Sequence, residues 1–151
     1  MVGLPCSGKT TRAKELEDEL FAIRLTPDEW HVSLFGHDVY EPEHDKRHDL
    51  IEDLLWQMAA RALSLGTNVI LDFGFWAKEE RDDYRSRASK LGARSEIIFM
   101  NVDKEELMKR VRIRNENLTN TIPYIREELM MSWIQFFQKP DIHELRPREN
   151  D

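Results

Sequence analysis

Eight residues near the start of the chain, Gly3-Leu4-Pro5-Cys6-Ser7-Gly8-Lys9-Thr10, constrain its fold more than any other stretch. They match G-x-x-x-x-G-K-[ST] at every required position. The two glycines permit backbone conformations that turn successive N–H groups inward and make an anion nest. Lys9 sets a point charge against β- and γ-phosphates, and Thr10 offers a hydroxyl to Mg²⁺. A helix follows at once, from Lys9 to about Leu20, with Ala13, Leu16 and Leu20 at helical spacing. Its positive N-terminal end aims at the same phosphates. The candidate nucleotide-binding set is therefore Gly3, Pro5, Cys6, Ser7, Gly8, Lys9, Thr10 and Thr11.

The rest of the chain alternates short β-branched runs with longer helical ones, the pattern of an α/β layer fold with a mainly parallel sheet. "AIRLT" (Ala22 to Thr26) is a short strand stopped by Pro27. Residues 27–46, rich in His, Asp, Glu, Pro and Gly, read as irregular. A helix over about Arg47 to Leu65 carries Leu50, Leu54 and Met58 on one line and Ile51, Leu55 and Ala59 beside it, with Gly66 as a natural stop. "NVILDF" (Asn68 to Phe73) is the clearest buried strand. "AKEERDDYRSRASKLG" follows as a polar, surface-lying helix closed by Gly92. "EIIFMNV" (Glu96 to Val102) is another buried strand, and Asp103 is placed to cap the helix beginning "KEELMKRVRIRN". A last amphipathic helix starts near Pro123, carries Ile125, Leu129, Trp133, Phe136 and Phe137 inward, and ends before Pro140. Only Met1 and Val2 precede the loop, so the expectation is a chain lacking the front of its first strand and a last strand after Glu144.

At 151 residues the chain is one domain by length, 1–151. A net charge of −7 argues against a broad electrostatic grip on nucleic acid or an anionic membrane surface, leaving room only for a local basic patch. No apolar run approaches the roughly 18 residues of a membrane span. Gly3, Pro5, Ser7 and Lys9 interrupt any signal-peptide pattern. The single cysteine, Cys6, makes no internal disulfide, which points to a reducing, cytoplasmic home.

A P-loop enzyme needs an acid at the end of a hydrophobic strand to support Mg²⁺, and Asp72 follows Val69, Ile70 and Leu71. Asp72-Phe73-Gly74 spells the D-F-G of protein kinases. The G-x-G-x-x-G loop and H-R-D-x-x-x-x-N segment of that family are absent, so the match is coincidence. N-K-x-D, the guanine signature of GTPases, is absent too, and no room remains for the helical subdomain of a ring ATPase.

A small kinase instead needs an acceptor segment, a base and phosphate-clamping arginines. Asp28, just after the second strand, lies at the carboxyl edge where ligands bind and can take a proton from a substrate hydroxyl, or cap a helix beginning at Glu29. The acceptor segment is about 28–46. Arg110 and Arg114 share a helix face, either as a bidentate phosphate clamp or as a solvated partner of Glu105 and Glu106, while Arg112 points the other way. They open a lid-like segment of about 110–123. Arg81 is placed to reach the site or to make a surface ion pair. Trp30 and Trp76 lie on loops facing the proposed acceptor pocket, whereas Trp56 and Trp133 read as core. His44 and His48 share helical spacing, but no further acid or thiol completes a zinc set.

The succession GLPCSGKTT, LTPDEW, LDFGFWAKEERDDYR, RVRIRN and FFQKPDIHEL resembles the small P-loop kinase-like proteins of the AAA_33 ATP-binding group over nearly the whole chain. That group is similar to polynucleotide kinase domains, chloramphenicol phosphotransferase and zeta toxins. The resemblance implies a three-layer P-loop NTPase fold with a nucleoside-kinase-like parallel sheet in 2-3-1-4-5 order, edge strands being short here. It implies ATP and Mg²⁺ and phosphorylation of a hydroxyl. It gives Asp28 the role of general base, Lys9 and Thr10 those of the loop, Asp72 that of metal support, and the segment Arg110 to Arg114 that of lid arginines. The resulting expectation is a kinase moving the γ-phosphoryl group of Mg·ATP to a small-molecule hydroxyl. Two alternatives stand beside it: a polynucleotide 5′-hydroxyl kinase, and an ATP-binding or slow ATPase module without an acceptor.

Overall fold

The glycine loop turns directly into helix α1 (Lys9–Leu20) in the computed structural model, which describes residues 1–118 and 124–148. Gly8 caps that helix at φ 92°, a left-handed backbone that costs glycine nothing because it has no Cβ. Strands β1 (Ile23–Leu25) and β2 (Val69–Leu71) pair in parallel, with Ile23 opposite Val69 and Leu25 opposite Leu71. Among the described residues these are the only strands.

Beyond them the sheet continues as single rungs. Val2 bridges Gly74 on one side and Phe99 on the other. Its N–H donates to Ile98 O, and Met100 N–H donates to Val2 O, each at 2.9 Å. The expected strand 96–102 therefore runs beside Val2 without becoming a strand. A ladder grows only as long as its partner, and the backbone here turns into the loop at Gly3. Past Glu144, Arg148 makes one antiparallel rung with Ser95. The architecture is α/β, with one parallel pair of strands and flanking single rungs among the described residues.

Residues 27–46 are irregular only at 36–43, between two helices. Helix α2 (Pro27–Phe35) begins directly after β1. Thr26 is extended at the cap position, Pro27 pre-sets the first helical φ, and Asp28 and Glu29 place negative charge in the first turn. Asp28 is thus inside the helix, and Thr26 holds the cap position. Gly36 at φ 73° ends α2. Helix α3 (His44–Ser64) starts ahead of the expected Arg47. Of its two apolar lines only Ile51, Leu55 and Ala59 are buried, packing on Leu25 with Val69 and Leu71 beside them. Leu50, Leu54 and Met58 face outward.

Helix α4 (Lys78–Lys90) lies at the surface as its polar sequence predicts, but it buries one face, that of Arg81, Arg85 and Ala88. Arg81 is 2% exposed because the segment after α6 lies over it. Its Nε donates to Glu144 Oε2 at 2.7 Å, and its NH1 to the carbonyls of Phe75 and Gln138 at 3.1 and 2.9 Å. Arg85 donates to the carbonyls of Glu144 and Arg146 at 2.7 and 2.8 Å. A guanidinium is tolerated inside when its donors are satisfied in this way. Arg81 consequently belongs to the packing of the C-terminal segment, and the acceptor-pocket role expected of it does not hold.

Asp103 caps helix α5 (Lys104–Glu116) by accepting from Glu106 N–H at 2.9 Å. Helix α6 (Glu127–Phe136) buries Met130, and Ile125 precedes it in the same cluster with Leu4, Leu107 and Val111. Phe136, expected inward, is 74% exposed: α6 ends there, and its buried face is the one that carries Met130.

Hydrogen bonds from Arg81 hold the Glu144 carboxyl down at about 2. Its folded-state value lies below the unfolded one, so the stability it contributes is present above about 4.5 and is lost as pH falls toward about 2. Thermal melts should drop steeply across that window. Glu144→Gln should melt lower at neutral pH and show a flatter acid limb; an unchanged acid limb would contradict the assignment.

Candidate functional site

The loop is shaped before any ligand arrives. Cys6 sits at φ 62°, a strained value for a side-chain-bearing residue and a mark of functional backbone. A Cβ on Gly3 would lie 2.8 Å from Ser7 Oγ, so glycine is required there. Ser7 Oγ is buried and has no hydrogen-bond partner. Lys9 Nζ folds back to donate to Leu4 O at 3.0 Å. Burial lowers the Lys9 ammonium from its ordinary value, against the opposing pull of Asp72 and Asp28. These are polar groups held for an anion.

Asp72 emerges from the end of β2 onto the same floor. Its Oδ2 accepts from Thr10 Oγ1 at 2.7 Å and from Thr26 Oγ1 at 3.4 Å. Its Oδ1 is buried without a partner. Burial pushes the Asp72 carboxyl up, with Thr10 and Lys9 pulling it back. An orphaned carboxylate oxygen next to a threonine hydroxyl is a hard-oxygen donor set and fits Mg²⁺, with the remaining positions left to water and phosphate.

One cavity of about 1140 Å³ extends from this floor. Pro5 to Thr11 and Asp72 line its loop end, while Asp28, α2 and the first half of α3 line the other. Asp28 projects from the first turn of α2, and its charge is felt at both Lys9 and Asp72.

The arginines divide as their spacing predicts. Arg112 pairs with Glu127 at 2.8 Å, away from the loop. Arg110 NH1 donates to Cys6 O at 3.4 Å while its Nε is held by Glu106 at 2.7 Å. Arg114 NH1 reaches Cys6 Sγ at 3.8 Å, and its Nε is buried without a partner. Both face the loop, but only Arg114 lines the cavity. The lid-like segment 110–123 lies outside the described residues from 119 onward.

Trp76 lines the cavity, and so does Trp133, whose ring packs on it at 5.6 Å. Trp133, expected in the core, packs against the cluster of Leu4, Val111 and Met130 and also completes an aromatic wall. Trp30 does not line the cavity and is 45% exposed. Two residues along a helix turn a side chain about 200°, so Asp28 and Trp30 cannot face one site once this segment is helical.

Sequence reasoning missed the hub on Asp38. This buried carboxylate accepts from His31 Nε2 and His44 Nδ1 on one oxygen, each at 2.6 Å, and from Arg47 at 2.7 Å on the other. Burial pushes its carboxyl up, but the hydrogen bonds from His44, Arg47 and His31 outweigh that and hold it well below the usual range. The hub ties the connection between α2 and α3 down and fixes the far wall of the cavity. His31, Asp38 and His44 also bring three potential ligand atoms within 4.8 Å, at hydrogen-bonding separations. The only sequence signal was the density of His and Asp across a turn.

Among the described residues no helix is long and apolar enough to cross a membrane. No curated protein matches the chain. The family model of AAA_33, an AAA domain, matches residues 1–140. With the P-loop, its helix and the strand-end aspartate arranged on one cavity, the chain belongs to the AAA_33 family and is a P-loop protein of the nucleotide-binding, kinase-like kind.

Proposed function

We propose that the protein is a kinase that moves the γ-phosphoryl group of Mg·ATP to a hydroxyl of a small-molecule acceptor. The observation carrying this reading is the shared cavity: the loop, Asp72 and Asp28 open onto one space whose far side is built by α2 and α3. Its volume, about 1140 Å³, exceeds the roughly 300–1,000 Å³ of a site for one ligand, as two substrates require. The parallel pair with the Val2 rungs reads as the run 2-3-1-4 of the expected sheet order, which would set the loop at the sheet's carboxyl edge.

In this mechanism the loop N–H groups and Lys9 hold the triphosphate, and Thr10 and Asp72 would hold Mg²⁺, which would supply positive charge against the phosphates. Asp28 accepts the acceptor's hydroxyl proton on a carboxylate oxygen. The hydroxyl oxygen bonds to the γ-phosphorus, the bridging P–O bond to the β-phosphate breaks, and ADP departs. Arg114, with Arg110 behind it, is placed to stabilise charge on the group in transit.

A net charge of −7 and an acid-lined acceptor side count against a polynucleotide acceptor. The open cavity beside Asp28 counts against an acceptor-free ATPase. Incubation with γ-labelled ATP and a panel of hydroxyl compounds tests the reading: label should appear on one acceptor above the level of hydrolysis, and hydrolysis alone across a broad panel would favour the ATPase module. Lys9→Ala should weaken triphosphate binding on the order of 10–100-fold, the loss of a charge-assisted contact. Calorimetric titration with ATP checks it, and unchanged affinity would remove Lys9 from the phosphate site.

A further inference from the structure

The acceptor half of the cavity has a chemical bias of its own. Asp28, Asp49, Glu52 and Glu80 all line it. Glu52 is met only by His48, at 3.5 Å, and Asp28, Asp49 and Glu80 form no ion pair with any described residue. The two permanent cations on the lining, Lys9 and Arg114, stand at the loop end. Arg47 is spent on Asp38 and Glu41. Burial and then the neighbouring charge of Glu52 push the Glu80 carboxyl up, against the backbone N–H groups of Ala77 and Trp76 and the charge of Arg81.

One ring nitrogen points to the same ligand chemistry. His31 is 3% exposed and lines the cavity, and its Nδ1 has no hydrogen-bond partner. Its Nε2 is engaged by Asp38, so the neutral ring presents Nδ1 as an acceptor. His48 differs: its Nε2 faces Glu52 at 3.5 Å. Burial lowers its pKa, but Glu52, Asp28 and Asp49 outweigh that and raise it, which favours the imidazolium, whose unpartnered Nδ1 donates. Phe73, Phe75, Trp76 and Trp133 line the same cavity, and aromatic ring faces attract cations. The four carboxylates of this half exceed the charge that His48 can supply. An anionic acceptor would meet repulsion here, and a neutral one would leave the carboxylates unpaired.

We propose that the acceptor is a small hydroxylated amine, bound as its ammonium form between the carboxylates of Glu52 and Glu80 and the Trp76–Trp133 wall, with its hydroxyl toward Asp28. This rests on the kinase reading for the fate of the hydroxyl, but not for binding. The amine offers donors to Glu52, Glu80 and His31 Nδ1. Its charge adds to that of His48 against the excess of carboxylates.

Glucosamine, glucose and glucuronate share one scaffold and differ in charge, and kanamycin adds several amines to a hydroxylated frame. Each is titrated into the full chain by calorimetry, with Mg²⁺ and a non-hydrolysable ATP analogue present. The amines should bind more tightly than glucose, glucuronate should bind most weakly, and added salt should weaken the amines selectively. Glu80→Gln and, separately, Glu52→Gln should each weaken kanamycin binding on the order of tenfold, with the melting temperature and analogue affinity near wild type. No measurable binding of either amine, equal or tighter binding of glucuronate, or indifference of both variants overturns the proposal. The two readings fail separately. Label transferred to a neutral or anionic acceptor would leave the kinase and remove the amine, whereas tight amine binding without transfer would leave the site and remove the kinase.

Discussion

Asp28→Asn should leave Mg·ATP affinity nearly unchanged while lowering phosphoryl transfer by about 10²–10⁴-fold, the usual contribution of a positioned general base. The substitution preserves shape and hydrogen-bonding reach but removes the basic oxygen. Helix α2 should tolerate it, because Asp28 is exposed in the first turn and the cap position belongs to Thr26. The lost charge at a helix N-terminus amounts to no more than about 1 kcal/mol. Asp28 acts on Lys9 and Asp72 only through the field, so the phosphate floor keeps its hydrogen bonds. Steady-state transfer at saturating acceptor, paired with ATP titration of the same variant, reads both quantities. Wild-type transfer in Asp28→Asn would take this residue out of the chemistry.

Arg81→Met should cost about 3–5 kcal/mol of stability, the scale for breaking a buried ion pair on one side. The change leaves the buried Glu144 carboxylate with only Lys78 and the Asp141 N–H as partners among the described residues, and frees the carbonyls of Phe75 and Gln138 that the guanidinium now satisfies. The double variant Arg81→Met, Glu144→Met should recover much of the loss, since a packed apolar pair can replace a buried ionic one. Chemical denaturation of the three proteins measures this. A single-variant loss below about 1 kcal/mol, the scale of an exposed pair, would mean that Arg81 is not structural.

These two residues illustrate what the sequence could and could not convey. The loop, α1, Asp72 and the Asp103 cap were legible because each is encoded within a few consecutive residues by a specific backbone or charge requirement. Helix α2 announced itself in Thr26-Pro27-Asp28-Glu29, but the glycine and histidines that follow obscured so short a helix. Once it forms, helical geometry carries Trp30 away from Asp28. Arg81 reads as solvated in a polar helix, and only the return of the segment at Glu144 turns it inward. The segment 96–102 has strand composition but finds a single partner residue in Val2. The Asp38 hub joins residues across a turn, and Trp133 becomes a cavity wall through its contact with Trp76. Contacts set by tertiary return leave no local periodicity to read.

Family membership establishes a nucleotide-binding, kinase-like P-loop protein, and the shared cavity is what argues for transfer onto an acceptor. The ratio of label transferred to label released as inorganic phosphate, from γ-labelled ATP with a saturating hydroxyl acceptor, tests that step most directly. Wild type should transfer in excess of release, and Asp28→Asn should collapse the ratio at unchanged ATP affinity. Release as inorganic phosphate alone, equal in both proteins and indifferent to every acceptor, would contradict it.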